Sequence, residues 1–379
     1  MAVNKVEING VVKLDLTADT VTAAKLAQGE TAHDASGELI TGTMAVPQLQ
    51  IVVTVESGAA VTATKGSLSV SGTSVNGTCT LTVPETGTWS VSATLGEQTS
   101  VTKTVSVTCS YAVALSFVSS TLNDNEWSAI KSVSDAGQGA NYWSIGDRKA
   151  VTLNGTVGKL SLSNVTIYAF IIGFNHNASV EGANRIHFQL AKTALSGGTD
   201  VCLCDSSFNS DVSTTGYFSM NRSQTNSGGW ASSQMRTKIC GTSLSSYSGT
   251  IIAVIPEALR AVLKSVTKYT DNTANGGGST ASHVTATTDY FFLLSEYEVF
   301  GSITYANSNE SSKQVQYAYY SAGNSKIKYK HNETNTGASW WLRSPLPLGR
   351  DSFVYVRPDS EGNGWYANFS FGFTPGFCV

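Results

Sequence analysis

The residues of this 379-residue chain that could do chemistry are five histidines, six cysteines and a few paired carboxylates. His33, His176, His187, His283 and His331 all lie outside any H-E-x-x-H, G-x-S-x-G or S-x-x-K setting, the spacings that set a base beside a metal or a nucleophile. His176, in G-F-N-H-N, follows a strongly apolar run and is the best placed to act as a base. A lone histidine in that position reads instead as a structural hydrogen-bonding residue. Glu296 and Glu298 share one face if E-Y-E is extended, which suits a carboxylate pair or equally a solvated strand end. Cys79, Cys109, Cys202, Cys204, Cys240 and Cys378 are too sparse for a disulfide framework in a chain this long. Cys202 and Cys204 form a C-x-C pair, but zinc would need a second pair or neighbouring histidines. Reduced, packed thiols are expected, and a Cys79–Cys109 bridge stays open. Asp359, Glu361, Asn363 and Gly364 imitate half of a calcium loop, yet its twelfth position is Ser370, where a bidentate carboxylate is required. No catalytic residue, metal or cofactor is expected from these patterns.

The densest information lies between Ala338 and Val379. The run A-S-W-W-L-R-S-P opens this stretch and F-G-F-T-P-G-F-C-V closes it. Trp340, Trp341, Phe371, Phe373 and Phe377 read as core aromatics. Between these frames, Leu346, Leu348, Arg350, Phe353, Tyr355, Arg357, Trp365, Tyr366 and Asn368 mix apolar, aromatic and charged side chains around prolines and glycines. That composition fits loops joined by short strands, and Tyr, Trp and Arg dominate recognition surfaces. These nine residues are the expected ligand-binding set.

The elements that must position them fall into three expected domains, within a mainly β, multidomain chain. Residues 1–46 read as a small attachment module, with a short helix after Asp19 and Thr20 that stops at Gly29. It is too short to hold much of a core, so docking to another chain or trimerisation is expected. Residues 47–112 alternate Val, Thr and Ser with turns such as Asn-Gly and Lys-Gly every ten or so residues, the signature of an antiparallel β-sandwich. From residue 113 to 379 the pattern is mixed α+β. Helices are expected near Asp124–Ala136, Ser232–Cys240, Pro256–Tyr269 and Asn309–Tyr320. Strands are expected around 150–157, 165–174, 185–190, 289–295 and 326–330.

Charged residues make up 13% of the chain and the net charge is −3. Nothing here pulls toward nucleic acid, whose recognition begins with a basic patch. No run approaches the ~18 apolar residues of a membrane span, and M-A-V-N-K-V-E-I-N-G has no apolar h-region. A surface-like composition without a leader points to assembly in a cytoplasm followed by release on a particle.

W-W-L-R-S-P, the upstream G-G-W-A-S-S-Q-M-R (Gly228 to Arg236) and T-P-G-F-C-V together resemble the C-type-lectin-like domains of phage receptor-binding and tropism-determining proteins, including targets of diversity-generating retroelements. The resemblance spans roughly residues 113–379. T-A-D-T-V-T-A-A-K-L-A-Q-G-E-T-A-H-D-A-S-G-E-L-I-T-G-T-M resembles N-terminal repeats of phage tail-fibre and baseplate proteins, and residues 47–112 look like bacterial immunoglobulin-like spacers. These resemblances imply a virion tail protein, homotrimeric, joined to other tail proteins through its N-terminus and displaying its C-terminal surface to a bacterial surface protein or glycan. If a retroelement diversifies the chain, the exposed positions of the display run are those expected to vary. A bacterial adhesin, an enzyme related to the formylglycine-generating enzymes, which share the lectin-like architecture, and a structural tail protein are the alternatives. The enzyme would need reactive cysteines, whereas Cys378 in P-G-F-C-V reads as buried.

Overall fold

A computed structural model describes residues 2–45, 48–204 and 218–379. Strands take 40% of the chain and helices 16%. The chain divides into two compact units, one of residues 1–95 and 102–115 and the other of 96–101 and 116–379.

In the first unit, alternation of apolar and polar residues sets the strands. Gln50–Thr54 pairs with Thr78–Thr82 and, in parallel, with Tyr111–Ala114. Ala60–Lys65 pairs with Leu68–Thr73 and with Gly87–Leu95, and the latter also takes Lys103–Val107. Ile51, Val53, Val61, Ala63, Leu81, Trp89 and Val91 point inward and are buried. A Cβ on Gly72 would lie 3.0 Å from Cys79 Sγ and 3.2 Å from Leu81, so the two sheets meet closely there. Cys79 is buried and Cys109 exposed, and the open Cys79–Cys109 bridge is not formed.

The N-terminal segment of this unit is built differently. Lys5–Ile8 pairs with Val11–Asp15, and Thr31–His33 with Leu39–Thr41. Where a helix is expected before Gly29, only a 3-10 turn forms at Ala23–Lys25. Among the described residues 2–45 no apolar side chain is buried, and Ile8, Val11, Val12 and Leu14 are 41–54% exposed. The expected boundary at residues 46 and 47 lies outside the described residues.

The second unit is organised by a five-stranded antiparallel sheet in the order Arg148–Val157, Leu160–Phe174, Ile186–Lys192, Gly376–Cys378 and Phe291–Phe292. Gly376–Cys378, from the last residues of the sequence, is therefore an interior strand, held between Ile186–Lys192 and Phe291–Phe292. Trp127, Phe188, Phe291 and Phe377 pack beside it with ring centroids 5.2–6.2 Å apart. The first expected helix forms over Trp127–Asp135 and buries Trp127, Ile130 and Val133.

Three expectations need correction. The helix expected over Pro256–Tyr269 is a single turn at Glu257–Arg260, and Val266–Asp271 is a strand paired with Val284–Asp289. β-branched Val266, Thr267 and Thr270 find a Thr-rich partner strand there, and pairing overrides the helical spacing. Ser232–Cys240 is split into a turn at Gly229–Ser232 and a π-helical segment at Met235–Cys240. Asn309–Tyr320 is likewise split, into a 3-10 turn at Ser308–Ser312 and a helical turn at Ala318–Ser321.

Candidate recognition surface

The display run folds as three strands in one antiparallel sheet, Trp340–Pro345, Ser352–Val356 and Gly362–Tyr366. The run's framing tryptophans are fully buried. Trp341 Nε1 donates to Phe218 O at 2.8 Å, and its ring meets Phe371 at 4.6 Å. Trp340 Nε1 donates to Lys326 O at 2.9 Å. Outside this sheet edge the backbone turns through 346–351, where one side chain from a distant loop fixes it. The Nδ2 of buried Asn226 donates to Leu346 O (2.9 Å), Gly349 O (3.2 Å) and Ser352 O (3.0 Å), and its Oδ1 accepts from Asn275 N at 3.0 Å. Asn226 N donates to Arg350 O, and Gly276 N to Gly349 O. Three separated loops are thus tied together through main-chain groups.

The nine expected binding residues separate into two sets. Leu348 is 83% exposed, Trp365 39% and Tyr366 41%, and Arg350 and Arg357 are also exposed. Trp365, Tyr366 and half-buried Phe369 form a triangle of rings with centroids 5.7–6.0 Å apart. Arg357 is engaged with Asp359 at 2.7 Å. Leu346 and Asn368 are half-buried, and Leu346 lies against Gly364, where a Cβ would come within 2.5 Å of its side chain. Phe353 and Tyr355 are corrected: both are buried, because they sit on the middle strand of the sheet and point into the core, the Tyr355 ring meeting Phe371 at 4.6 Å in a tilted contact. The calcium-like run is a turn and strand start, with Asp359 Oδ1 accepting from Glu361 N.

Behind this sheet lies a cluster of buried ionisable groups. Arg343, the arginine of W-W-L-R-S-P, donates to Glu298 through Nη1 (2.5 Å) and Nη2 (2.9 Å), to Leu293 O and to Thr270 Oγ1. Lys268 Nζ lies 2.7 Å from Glu181 Oε2, 3.0 Å from Glu298 Oε1 and 2.8 Å from Tyr317 Oη. Glu296 and Glu298 are on a short helix, Glu296–Phe300, and not on a strand, because Ser295 and Glu298 form a capping box. Both carboxylates are buried; Glu296 accepts from the backbone of Thr304, Tyr305 and Ala306. Burial opposes ionisation of Glu298, but Arg343 and Lys268 outweigh it and hold the carboxyl well below its usual range. Burial pushes Glu181 up to about 7.

His176 stacks on Tyr317 at 3.7 Å and His187 Nδ1 lies 3.1 Å from Tyr317 Oη and 3.3 Å from Cys378 Sγ. Burial, reinforced by Lys268, drives His176 down to about 3 and His187 well below its usual range, so both are neutral. Burial pushes the Cys378 thiol up to about 12, which leaves it unionised and enclosed. His176, Glu181 and Glu298 place ligand atoms within 4.8 Å of one another. The Lys268 ammonium bridges the carboxyl groups of Glu181 and Glu298. The cluster is a buried ion network that fixes the strand carrying Arg343.

The upstream G-G-W-A-S-S-Q-M-R run is a second support. Trp230 Nε1 and Arg236 Nε donate to the two oxygens of buried Asp289, at 3.0 and 2.6 Å. Asn226 and the network residues were not expected as supports. The S-E-Y-E spacing signals the capping box in the sequence, whereas nothing local points to Asn226.

Residues 208–379 match a family described as a domain of unknown function, DUF6273; the match covers the display sheet, Asn226 and the Trp230–Arg236 support, while Glu181, His176 and His187 lie before it. No curated protein matches the chain.

Proposed function

We propose that the chain is a non-enzymatic recognition protein whose C-terminal surface binds a bacterial surface protein or glycan. The observation that carries this reading is the separation of roles in the display run. Leu348, Arg350, Trp365 and Tyr366 face solvent, while Asn226 and the Arg343 network hold the backbone beneath them. Large apolar, aromatic and arginine side chains exposed on a fixed frame are the makings of a binding hot spot. The resemblance of W-W-L-R-S-P and T-P-G-F-C-V to lectin-like phage proteins supports placing this surface on a virion tail, with residues 47–112 as an immunoglobulin-like spacer. The absence of any buried apolar side chain among the described residues 2–45 supports attachment and trimerisation through the N-terminal segment. Three copies would raise weak single-site binding by avidity.

The test is binding of the purified chain to candidate host cells, beside a variant carrying Leu348→Ala, Arg350→Ala, Trp365→Ala and Tyr366→Ala. Saturable binding that falls tenfold or more in the variant, at an unchanged unfolding midpoint, is expected. Equal binding by both would overturn the reading, and no binding by either would favour a structural tail protein.

A further inference from the structure

A concavity in the larger unit lies away from the display sheet in sequence and is built from three segments, 120–123, 146–148 and 195–197. Its volume is about 370 Å³, near the lower end of the roughly 300–1,000 Å³ typical of small-molecule sites. That is room for one or two rings.

The polar groups in its wall are half-used. Asp147 spends Oδ2 accepting from Ser144 N at 2.9 Å, and Asn123 spends Oδ1 accepting from Ala150 N at 2.9 Å. Arg148 spends Nη1 on Ala194 O (2.7 Å) and Gly197 O (2.5 Å), which fixes the far wall to the near one. Asp147 Oδ1, Asn123 Nδ2, Arg148 Nε and Nη2, and the hydroxyls of Thr121 and Ser196 have no protein partner among the described residues. The held halves of these side chains therefore leave one carboxylate oxygen, several donors and two adaptable hydroxyls around the same small space. Leu195, 45% exposed, adds an apolar patch at the rim.

Each hydroxyl of a sugar both donates and accepts, so a ligand with vicinal hydroxyls can give one proton to Asp147 Oδ1 and accept from Arg148 and Asn123. Its C–H face would lie on Leu195. An aromatic or purely apolar ligand would leave these groups unpaired, at a cost. We propose that this cleft is a binding site for a small saccharide, one or two pyranose rings, separate from the C-terminal surface and independent of its function.

Calorimetric titration and saturation-transfer NMR of the full chain, with methyl glycosides of glucose, galactose, mannose and N-acetylglucosamine, test this, with glycine and glutamate as zwitterionic controls. At least one glycoside should bind at millimolar concentration. Asp147→Asn keeps an acceptor for Ser144, and Asn123→Asp keeps one for Ala150, yet each reverses the free group. Each should weaken that glycoside about tenfold or more. Ser196→Trp, at an exposed position, should fill the cleft and abolish binding, while Trp365→Ala should leave it unchanged. The proposal is overturned if no glycoside in the panel binds, if the zwitterions bind in their place, or if Ser196→Trp, with its unfolding midpoint intact, binds as the parent does.

Discussion

Replacing Glu298 by Gln should destabilise the larger unit more than almost any other single isosteric change. The carboxylate accepts two bonds from Arg343 and one from Lys268, and it closes the capping box with Ser295. Its loss leaves two buried cations with only Glu181 and Glu310 near them, both carboxyls pushed up to about 7 by burial, and an amide would set N–H groups against the guanidinium. Breaking a buried pair by removing one partner costs about 3–5 kcal/mol. At about 2–4 °C per kcal/mol for a domain of this size, the unfolding temperature should fall by roughly 6–20 °C. Urea denaturation at pH 7.5, followed by the fluorescence of buried Trp340 and Trp341, measures the change. The double variant Glu298→Leu with Arg343→Met removes one charge of each sign and should recover much of the loss, since apolar replacement of a buried pair is often neutral. A single-variant loss below about 1 kcal/mol, or a double variant worse than the single, would refute uncompensated charge as the cause.

Phe353→Ala should cost about 3–5 kcal/mol in unfolding experiments, whereas Leu348→Ala should stay within about 0.5 kcal/mol; similar losses for both would contradict their assignment to core and surface. Asn226→Ala should free the 346–351 turn, so that trypsin cuts after exposed Arg350 markedly faster than in the parent chain while the global midpoint moves less. Glu310 is buried against Asp271, Ser344 and Gln314, and burial raises its carboxyl to about 7 from 4.5. A raised acid favours the folded state fully below about 4.5 and loses that contribution as pH rises through about 7. The stability of the parent relative to Glu310→Gln should therefore decline between these pH values, and a flat difference would count against the assignment. Deleting residues 2–45 should lower the mass of the particle in light scattering from an oligomer to a monomer, and an unchanged mass would place assembly elsewhere.

Strands of the smaller unit such as Gln50–Thr54 and Thr78–Thr82 were legible because one face of each is buried and alternation with period two records it directly. Leu259, Val262, Leu263 and Val266 gave the spacing of a helix, but the partner strand that claims Val266–Asp271 lies at Val284–Asp289, and no window of local sequence contains both. The run was legible as a segment, since its frame aromatics are buried and five of its large side chains face solvent. Which of its members point inward was not, because Phe353 and Tyr355 lie on a middle strand covered on both faces, where alternation disappears. The ion network joins residues from 181 to 343, and its pairings exist only after the fold has formed.

Asn226 grips the display turn entirely through carbonyl oxygens, and every amino acid carries one. The identity of the residues at 348 and 350 is therefore free to change without altering the hold on their backbone. Under the proposed recognition role, such an arrangement would separate inheritance of shape from inheritance of specificity, letting a lineage sample new partners by single substitutions, each starting from an already folded surface. Changes at Asn226 itself would erase that freedom, since every variant built on a slackened turn would have to recover its shape before it could acquire a target.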